Sequence, residues 1–321
     1  MSTKVSIIIP IYNVEQYIQD CLLSVANQTM KNGIEAILVD DCGKDNSIAI
    51  AQDFISHYQG PIQFTILHHQ KNQGLSCARN TAIKEAKGDY LFFLDSDDEI
   101  ENNCIEAMYS HVINHPEVDL VQGEYKSSHT SENPFLKDSL IEYSSDKRFI
   151  KYTLLNYNGS SVCAQNKLVK RQLLIENNLY FYPGIIHEDN HWTFFLSKHV
   201  QTMAFCKGRM YKHRYNPESI THNVNMPKEI VAYRTLIEIM SSHIDSFLPG
   251  RQKELILNTL LTGLDKKAYQ SEADRKSLIL CFTKCNTFVE KLLLKLYFKL
   301  KNKYFRTKLL HALVRVYKLN D

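Results

Sequence analysis

The chain lacks several features that would place it in a familiar class at once. It has no CxxC pair among its eight cysteines, no G-x-G-x-x-G fingerprint and no Walker A sequence. Scattered cysteines favour reduced thiols, and the two missing glycine-rich motifs count against dinucleotide oxidoreductases and P-loop phosphoryl transfer. Gly and Pro are also few, at 11 and 8 of 321 residues, so a disordered or low-complexity chain is not expected.

Long apolar runs are absent as well. The first apolar stretch, residues 5–9, is too short for the core of a signal peptide. No window reaches roughly 18 apolar residues, the length of a membrane span. We therefore expect a cytoplasmic protein. With 44% hydrophobic and 23% charged residues, the chain is typical of a globular protein that buries a substantial core.

Positive charge is concentrated near the C-terminal end. Residues 284–321 carry ten Lys and Arg against two acids, whereas the whole chain has a formal net charge of only +3. Leu, Tyr and Phe recur at helical spacing over residues 288–318, beside a cationic stripe of Lys291, Lys295 and Lys299. Two interpretations stand: a helix lying on anionic lipid at the inner face of the membrane, or a helical bundle whose lysines face solvent. Nucleic acid is not an expected partner, because the rest of the chain is acidic.

The first 125 residues alternate short β-branched runs with amphipathic helical stretches. We expect strands at 5–9, 35–39, 62–67 and 90–94, and helices at 14–26, 47–58, 76–87 and 101–115. This alternation predicts an α/β fold with a parallel sheet, whose ligands collect at the carboxyl ends of the strands. Residues 126–150 are predicted to form a loop, and the chain turns wholly helical from about residue 226. We therefore expect two domains, 1–225 and 226–321.

Acidic residues follow two of these strands directly. Asp95-Ser96-Asp97-Asp98 follows the strand at 90–94, and Asp40-Asp41 follows the strand at 35–39. Three acids held so close repel each other, and Mg²⁺ or Mn²⁺, bound through carboxylates and a substrate's phosphates, would relieve that repulsion. The same acids could instead cap the next helix. Likewise, Asp41 could bond a base or ribose, or cap a helix, and both interpretations remain open on these residues alone.

Four segments between residues 5 and 98 resemble, in order, the signatures of the family 2 glycosyltransferases. They are Val5-Ser-Ile-Ile-Ile-Pro-Ile-Tyr-Asn, Leu38-Val-Asp-Asp, Asn72-Gln-Gly-Leu-Ser-Cys-Ala-Arg-Asn and Phe93-Leu-Asp-Ser-Asp-Asp. The similarity continues through Asn166-Lys-Leu, Glu188-Asp and Tyr211-Lys-His-Arg to about residue 225. The resemblance implies the GT-A fold, a three-layer α/β sandwich, here followed by a C-terminal helical region. It also implies inverting transfer of a sugar from a nucleotide diphosphate, with UDP favoured.

The resemblance assigns a donor site to the strand ends. Tyr12 would pack on the nucleobase, Asp41 would hydrogen-bond it, and Arg79 would help hold the nucleotide. Asp95 and Asp97 would form the DxD element, which binds ribose and, through Mg²⁺ or Mn²⁺, the diphosphate. The remaining nucleotide-sugar residues implied by the resemblance are Pro10, Ser96, Lys167, His213 and Arg214. Arg79 could also be a surface charge and His213 a packed or surface histidine. One departure is visible, since Cys42-Gly43 stands where the family usually has Gly-Ser.

The resemblance also assigns an acceptor side. Asp189 is the expected general base, which takes the proton of an acceptor hydroxyl. Glu188 and Trp192 are expected to contact the acceptor, although Trp192 could equally be a core residue and the Glu188-Asp189 pair could merely complement a helix dipole. The acceptor would be a saccharide or a lipid-linked molecule in surface polysaccharide or glycolipid synthesis. The alternative is a non-catalytic protein of this fold that binds sugar nucleotides or acts as a membrane adaptor.

One further motif points to different chemistry. His187-Glu-Asp-Asn-His191 fits the HExxH pattern of zinc metalloproteases, which requires both histidines on one helix face and a third ligand downstream. The Pro183-Gly184 pair predicts that the helix begins at about Glu188, which leaves His187 outside it. No third-ligand pattern follows. We therefore expect a glycosyltransferase rather than a zinc peptidase.

Overall fold

The structure is a computed structural model that describes residues 3–126, 141–156, 162–219, 226–265, 271–299, 303–319 and 321. Its strands are β1 Val5–Ile11, β2 Ile34–Asp40, β3 Gln63–His68, β4 Tyr90–Phe93, β5 Glu99–Ile100, β6 Leu120–Lys126, β7 Tyr143–Ser144, β8 Lys167–Lys170 and β9 Met203–Lys212. Its helices up to residue 219 are α1 Ile18–Ala26, α2 Ser47–His57, α3 Leu75–Glu85, α4 Cys104–Asn114, α5 Lys147–Leu154, α6 Arg171–Glu176 and α7 Glu188–Leu196. Beyond residue 225 follow α8 Met226–Ser242, α9 Pro249–Asp265, α10 Glu272–Thr283, α11 Phe288–Lys299 and α12 Lys303–Leu319.

The described strands form one mixed sheet in the order β3-β2-β1-β4-β8-β6-β9-β5, and β7 also pairs with β9. Strands β1 to β4 are parallel, as the alternating pattern predicts. Strand β8, which lies beyond the alternating region, runs antiparallel to both β4 and β6, so the complete sheet is mixed. Pro10 is tolerated in the central strand because β4 pairs only with residues 5–8, which leaves the missing N–H outside that ladder.

Two apolar layers cover the sheet. Alternate residues of β1 point to opposite faces, so Ile7 and Ile9 join one core cluster and Ile8 joins the other. The first face packs against α1, α2 and α4, and the second against α3, α5, α6 and α7. The central strand is buried along its whole length and is apolar except at Ser6, because both of its faces are covered. The expected three-layer α/β arrangement is confirmed.

The predicted loop at 126–150 is wrong at its C-terminal end, while residues 127–140 lie outside the described residues. Helix α5 begins at Lys147, because the Asp146 side chain accepts hydrogen bonds from the N–H groups of Arg148 and Phe149. The helix has only eight residues, and its buried face carries Ile150 and Leu154. A short helix with one apolar face gives a weak periodic signal, which explains the error.

The described residues beyond 225 are almost entirely helical, as predicted. Helices α8 to α12 share a third apolar cluster, which also includes Leu155 and Phe194 from the preceding region. A buried ion pair lies within this bundle, where Lys253 Nζ is 2.8 Å from a carboxylate oxygen of Glu290. The helical region therefore packs directly against α7, the helix that begins with Glu188 and Asp189.

Candidate active site

Three carboxylates converge where β4 ends. Ligand oxygens of Asp95, Asp97 and Asp98 all lie within 4.8 Å of one another. They converge because the backbone turns directly after the buried strand, with the Asp98 N–H donating to the Asp95 carbonyl at 3.0 Å. Ser96 is buried between them. The acids therefore form one compact negatively charged group at the carboxyl edge of the sheet.

The three acids have different surroundings. Asp98 is buried, and its two oxygens accept hydrogen bonds from the Tyr211 hydroxyl at 2.8 Å and the Arg214 N–H at 2.9 Å. Burial, Asp95 and Asp97 together raise the pKa of Asp98 to about 8. Burial and Asp95 also raise the pKa of Asp97, against a hydrogen bond from the Asn216 amide at 2.9 Å.

Asp95 and Asp97 suit a hard divalent cation. Both carboxylates are partly exposed, whereas the Asp98 carboxylate is buried. Carboxylate oxygens are the ligands that Mg²⁺ and Mn²⁺ prefer. A cation here would also offset the excess negative charge that raises the pKa values of the cluster. The acids that the sequence indicated thus have a donor set that fits the expected ion.

Arg79 lies fully buried between the acidic turn and the start of α7. Its Nη2 donates to Asp95 Oδ1 at 2.9 Å. Its Nη1 donates to Glu188 Oε1 at 2.8 Å and Asp189 Oδ1 at 3.0 Å. Burial opposes the guanidinium charge, but the nearby carboxylates of Asp189, Asp95 and Glu188 raise the pKa of Arg79 above its ordinary value. Direct contact with a nucleotide, expected from the resemblance, is not supported, because none of the side chain is exposed.

Glu188 and Asp189 form the first turn of α7, a position that favours acids because of the helix dipole. Burial and the neighbouring Asp189 raise the pKa of Glu188 to about 7. Burial also raises the pKa of Asp189, although Arg79 acts in the opposite direction. A raised pKa makes a carboxylate a stronger base. The Asp189 side chain is 18% exposed against 8% for Glu188, so Asp189 has better access to an acceptor.

The HExxH residues do not form a zinc-protease site. Helix α7 begins at Glu188, as predicted, and His187 precedes it with a left-handed φ of 61°. His187 Nε2 instead lies 3.1 Å from a carboxylate oxygen of Glu229 in the helical region. His191 packs against Tyr182 and Phe195, and burial lowers its pKa to about 4. Among the described residues, the only group of three potential ligands is the acidic turn after β4.

The nucleobase side of the predicted site lies at the ends of β1 and β2. Tyr12 directly follows β1 and is 46% exposed, so its ring is available for packing. Its position beside Asp41 is fixed, because the Asp41 N–H donates to the Ile11 carbonyl at 3.0 Å. Pro10 is buried in β1 and contributes to the strand rather than to an exposed surface. Strand β1 lies between β2 and β4, which places Tyr12 between Asp41 and Asp95 along the sheet edge.

The Asp41 side chain is already fully engaged. Its carboxylate accepts hydrogen bonds from the Asn72 amide, the Gln73 N–H and the Gly74 N–H at 2.7–3.0 Å. The His69 ring nitrogen Nδ1 lies 2.7 Å from the same carboxylate. Asp41 therefore fixes the loop that leads into α3, a structural role that the sequence pattern did not predict. Its expected bond to a nucleobase stays a prediction.

The Cys42-Gly43 departure leaves the turn intact. Cys42 itself adopts the left-handed conformation, with φ of 57°, and its thiol donates to the His69 carbonyl at 2.8 Å. Gly43 is needed for a different reason, because a Cβ atom there would lie 3.0 Å from the Asn13 backbone nitrogen. Glycine at position 43 therefore allows the backbone to pass close to Asn13, and it is not required for an unusual backbone conformation.

The other predicted donor residues divide into two groups. His213 is exposed, and its charge lowers the pKa of Asp97, so it lies beside the acidic turn. Arg214 is committed elsewhere, since its Nη1 lies 2.7 Å from Asp20 and 3.2 Å from Glu99. Lys167 is buried, and its ammonium donates to the Cys163 carbonyl.

Burial lowers the pKa of Lys167 to about 8. Its position inside the protein does not support direct contact with a nucleotide. For Trp192, the structure supports the core alternative that the sequence left open, because the side chain is 1% exposed and stacks on Phe181 at a centroid distance of 4.9 Å. Its Nε1 donates to the Leu179 carbonyl at 3.1 Å. Trp192 is therefore a core residue, and its burial does not support direct contact with an acceptor.

Sequence reasoning missed two polar contacts of the DxD element. Gln165 donates to Asp95 Oδ2, and Asn216 donates to Asp97 Oδ2. These residues lie 70 and 119 positions further along the chain than the acids they bond. Gln165 directly precedes the recognised Asn166-Lys-Leu segment, which was the one available signal. Asn216 follows Tyr211-Lys-His-Arg, and nothing in the local pattern distinguishes it from a turn residue.

Comparison with known proteins establishes the family. The model of glycosyl transferase family 2 matches residues 6–177, more than half of the chain, and the chain belongs to this family. Glycosyltransferase GlyA of Streptococcus pneumoniae is 29% identical over 318 residues. That match covers 86% of this chain and 43% of GlyA, so this chain spans less than half the length of that relative.

Solved structures show the same fold. TarS 1-349 of S. aureus in complex with UDP-GlcNAc superposes with a TM-score of 0.69 at 20% identity, covering 91% of this chain and 83% of that one. A mannosyltransferase from Pyrobaculum calidifontis, in complex with GDP-Man and Mn²⁺, superposes with a TM-score of 0.57 at 15% identity, covering 99% and 87%. The expected GT-A fold is thereby confirmed.

Proposed function

We propose that the protein is an inverting glycosyltransferase that moves a sugar from a nucleotide-diphosphate sugar to a saccharide or lipid-linked acceptor. One observation carries the proposal: a single buried guanidinium is within 3.0 Å of both Asp95 of the DxD element and Asp189. The residues expected to bind the donor and to activate the acceptor therefore border the same place. UDP is the favoured nucleotide, since TarS is similar in fold and its complex holds UDP-GlcNAc.

In the proposed reaction, each of these residues has one role. Asp189 accepts the proton of the acceptor hydroxyl while that oxygen attacks the anomeric carbon. The bond between the anomeric carbon and the phosphate oxygen breaks on the opposite face, and the nucleoside diphosphate leaves with the electron pair. One displacement inverts the anomeric configuration. Mg²⁺ or Mn²⁺ bound by Asp95 and Asp97 would supply positive charge to the leaving diphosphate.

Donor turnover by the purified chain tests this proposal. A panel of nucleotide-diphosphate sugars with candidate acceptors, assayed for released nucleoside diphosphate with Mn²⁺ and with EDTA, should show turnover that EDTA abolishes. Asp189→Asn should lower kcat by about 10²- to 10⁴-fold, the range for loss of a general base. UDP binding should be retained, with a Kd raised by no more than about tenfold, because the variant keeps the side-chain shape but removes one charged partner of Arg79.

Asp53→Asn is the matched control, because it removes the same charge from an exposed position on α2. It should leave turnover unchanged. A non-catalytic sugar-nucleotide-binding or adaptor protein would instead bind UDP and Mn²⁺ with no turnover for any donor. Full activity of Asp189→Asn would refute the assignment of the base.

We also infer an anionic membrane surface as the place of action, which suits a lipid-linked acceptor. Helix α11 buries one face within the helical region and exposes the other. Packing in a bundle therefore explains the buried face but not the exposed apolar side chains. The exposed apolar side chains are Phe288, Val289, Leu292 and Leu296, with Phe288 83% exposed. The exposed cations beside them are Lys284, Lys291, Lys295 and Lys299. None of the described helices is both long and apolar enough to cross a bilayer, so contact would be peripheral.

Vesicle sedimentation tests this surface. The protein should sediment with phosphatidylcholine vesicles that contain phosphatidylglycerol, and much less with phosphatidylcholine alone, because the lysines attract anionic lipid. Leu292→Glu combined with Leu296→Glu should abolish sedimentation and keep turnover on a soluble acceptor. Leu280→Glu, at another exposed apolar position on α10, is the control. A dimer in solution that the double variant disrupts, with no vesicle binding, would show that a second copy covers this face.

A further inference from the structure

Arg79 is shared by carboxylates from two parts of the site. Nη2 bonds Asp95, which follows β4, and Nη1 bonds Glu188 and Asp189, which begin α7. One positive charge thus serves three negative ones. Each carboxylate competes with the other two for the same guanidinium, so a change at one is felt by the others.

The guanidinium is held in place from several sides. Its carbon lies 5.0 Å from the centre of the Phe181 ring. Phe181 is fixed in turn by Asn80, whose amide donates to the Phe181 carbonyl and accepts from the Phe181 N–H, both at 2.8 Å. Because Arg79 and Asn80 are neighbours on α3, the helix and the ring clamp the guanidinium between them. It cannot follow one carboxylate without loosening its bonds to the others.

We propose that Arg79 is a positioning residue that couples occupancy of the donor site to the orientation of the general base. This inference rests on the proposed function. When a cation and its nucleotide engage the Asp95 carboxylate, Asp95 takes less of the Arg79 charge. More of that charge then holds Glu188 and Asp189, which orients Asp189 when a donor is present. The forked guanidinium is required, because the compact ammonium of a lysine cannot bond Asp95 and the Glu188-Asp189 pair at the same time.

Thermodynamic coupling is reciprocal, so the acceptor side must also affect donor binding. Neutralising Glu188 leaves Arg79 with one fewer charged partner and strengthens its hold on Asp95. The Asp95 carboxylate is then less available to a cation. Glu188→Gln should therefore weaken the binding of Mn²⁺ with UDP, although Glu188 is the residue expected on the acceptor side.

Isothermal titration calorimetry of Mn²⁺ with UDP tests this on four proteins: the unaltered chain, Glu188→Gln, Arg79→Lys and the double variant. With Arg79 in place, Glu188→Gln should raise Kd about threefold to tenfold, as for residues that share one network. When Arg79→Lys is already present, the same change should alter Kd by less than about twofold. Equal effects with and without Arg79→Lys, or no effect when Arg79 is in place, would overturn the proposal.

Glu99→Gln is the control if Arg79→Lys does not fold. Glu99 lies next to Asp98 and pairs with Arg214, so its substitution removes one negative charge beside the acidic turn without touching Arg79. It should change Kd by less than Glu188→Gln does; an equal change would attribute the effect to charge alone and refute the coupling. Turnover of a donor, together with an effect of Glu188→Gln on Kd that does not depend on Arg79, refutes only this inference. Coupling with no turnover for any donor refutes the proposed function instead.

Discussion

The partly buried His191 of the HExxH segment leads to a quantitative prediction about stability and pH. His191 packs among aromatic rings on α7, and its Nδ1 has no hydrogen-bond partner among the described residues. Burial lowers its pKa from 6.5 to about 4, with a smaller contribution from His243. In the unfolded chain the ring takes up a proton at the ordinary pKa. The contribution of the neutral His191 ring to folding stability is therefore fully present above pH 6.5. This contribution is lost as the pH falls toward 4.

These two pKa values set the size of the effect. At about pH 7.5 the His191 ring is mostly neutral in both the folded and the unfolded state, so protonation of this ring removes almost no stability. At about pH 5.0 the unfolded state is mostly protonated while the folded state is not. The linkage relation then gives a loss of about 2 kcal/mol between these two pH values.

His191→Phe isolates this contribution, because it keeps a ring among Tyr182 and Phe195 and removes the titrating group. Urea unfolding of both proteins at pH 7.5 and 5.0 can be followed through the single tryptophan, Trp192, which is buried beside the substituted position. The unaltered chain should lose about 2 kcal/mol more stability than the variant over this range. The control His57→Gln, at an exposed position on α2, should behave like the unaltered chain. Equal losses in the unaltered chain and His191→Phe would refute a neutral, buried His191.

Substitutions at three further positions test other contacts, with stability measured by urea unfolding at pH 7.5. Cys42→Val should cost about 1–2 kcal/mol, because a β-branched side chain is disfavoured at positive φ, and Cys42→Gly should lie within about 0.5 kcal/mol of the unaltered chain. Trp192→Phe should cost about 1–3 kcal/mol and leave the acceptor KM within about twofold, since Trp192 is a core residue; a large rise in KM would contradict this. Glu290→Gln should cost about 3 kcal/mol, because it leaves the Lys253 ammonium buried without its charged partner; an unchanged midpoint would show that this pair contributes little.

The sequence predicted the first half of the fold well because long apolar runs and amphipathic helices carry their own signal. Strands β1 and β4 are buried on both faces, so their positions followed from the pattern. Strand β8 has four residues, Lys at both ends, and pairs with strands distant in sequence. Nothing local marks such a strand, because its stability comes from the neighbours that it joins.

The sequence indicated which acids meet in the candidate site, but it indicated the surroundings of the other site residues less well. Asp95, Asp97 and Asp189 belong to recognisable motifs. The burial of Arg79 and Trp192 depends on elements that meet only in the folded chain, and no motif reports burial. Arg79, expected to face a ligand, instead lies between carboxylates, and Trp192, for which acceptor contact and a core position were both open, lies in the core.

The bonds made by Asp41 have a consequence for attempts to change the selectivity of the proposed nucleotide site. Gly74 donates its N–H to Asp41, has a φ of 90° that favours glycine, and is followed at once by the first residue of α3. Arg79 is the fifth residue of that helix. Redesigning the proposed nucleobase contact at Asp41 would thus shift the helix that carries the Arg79 guanidinium, and a change meant for selectivity would also affect the bonds from Arg79 to Glu188 and Asp189. Substitutions at Tyr12, whose exposed ring does not hold the loop before α3, offer a route to altered selectivity that leaves this helix where it is.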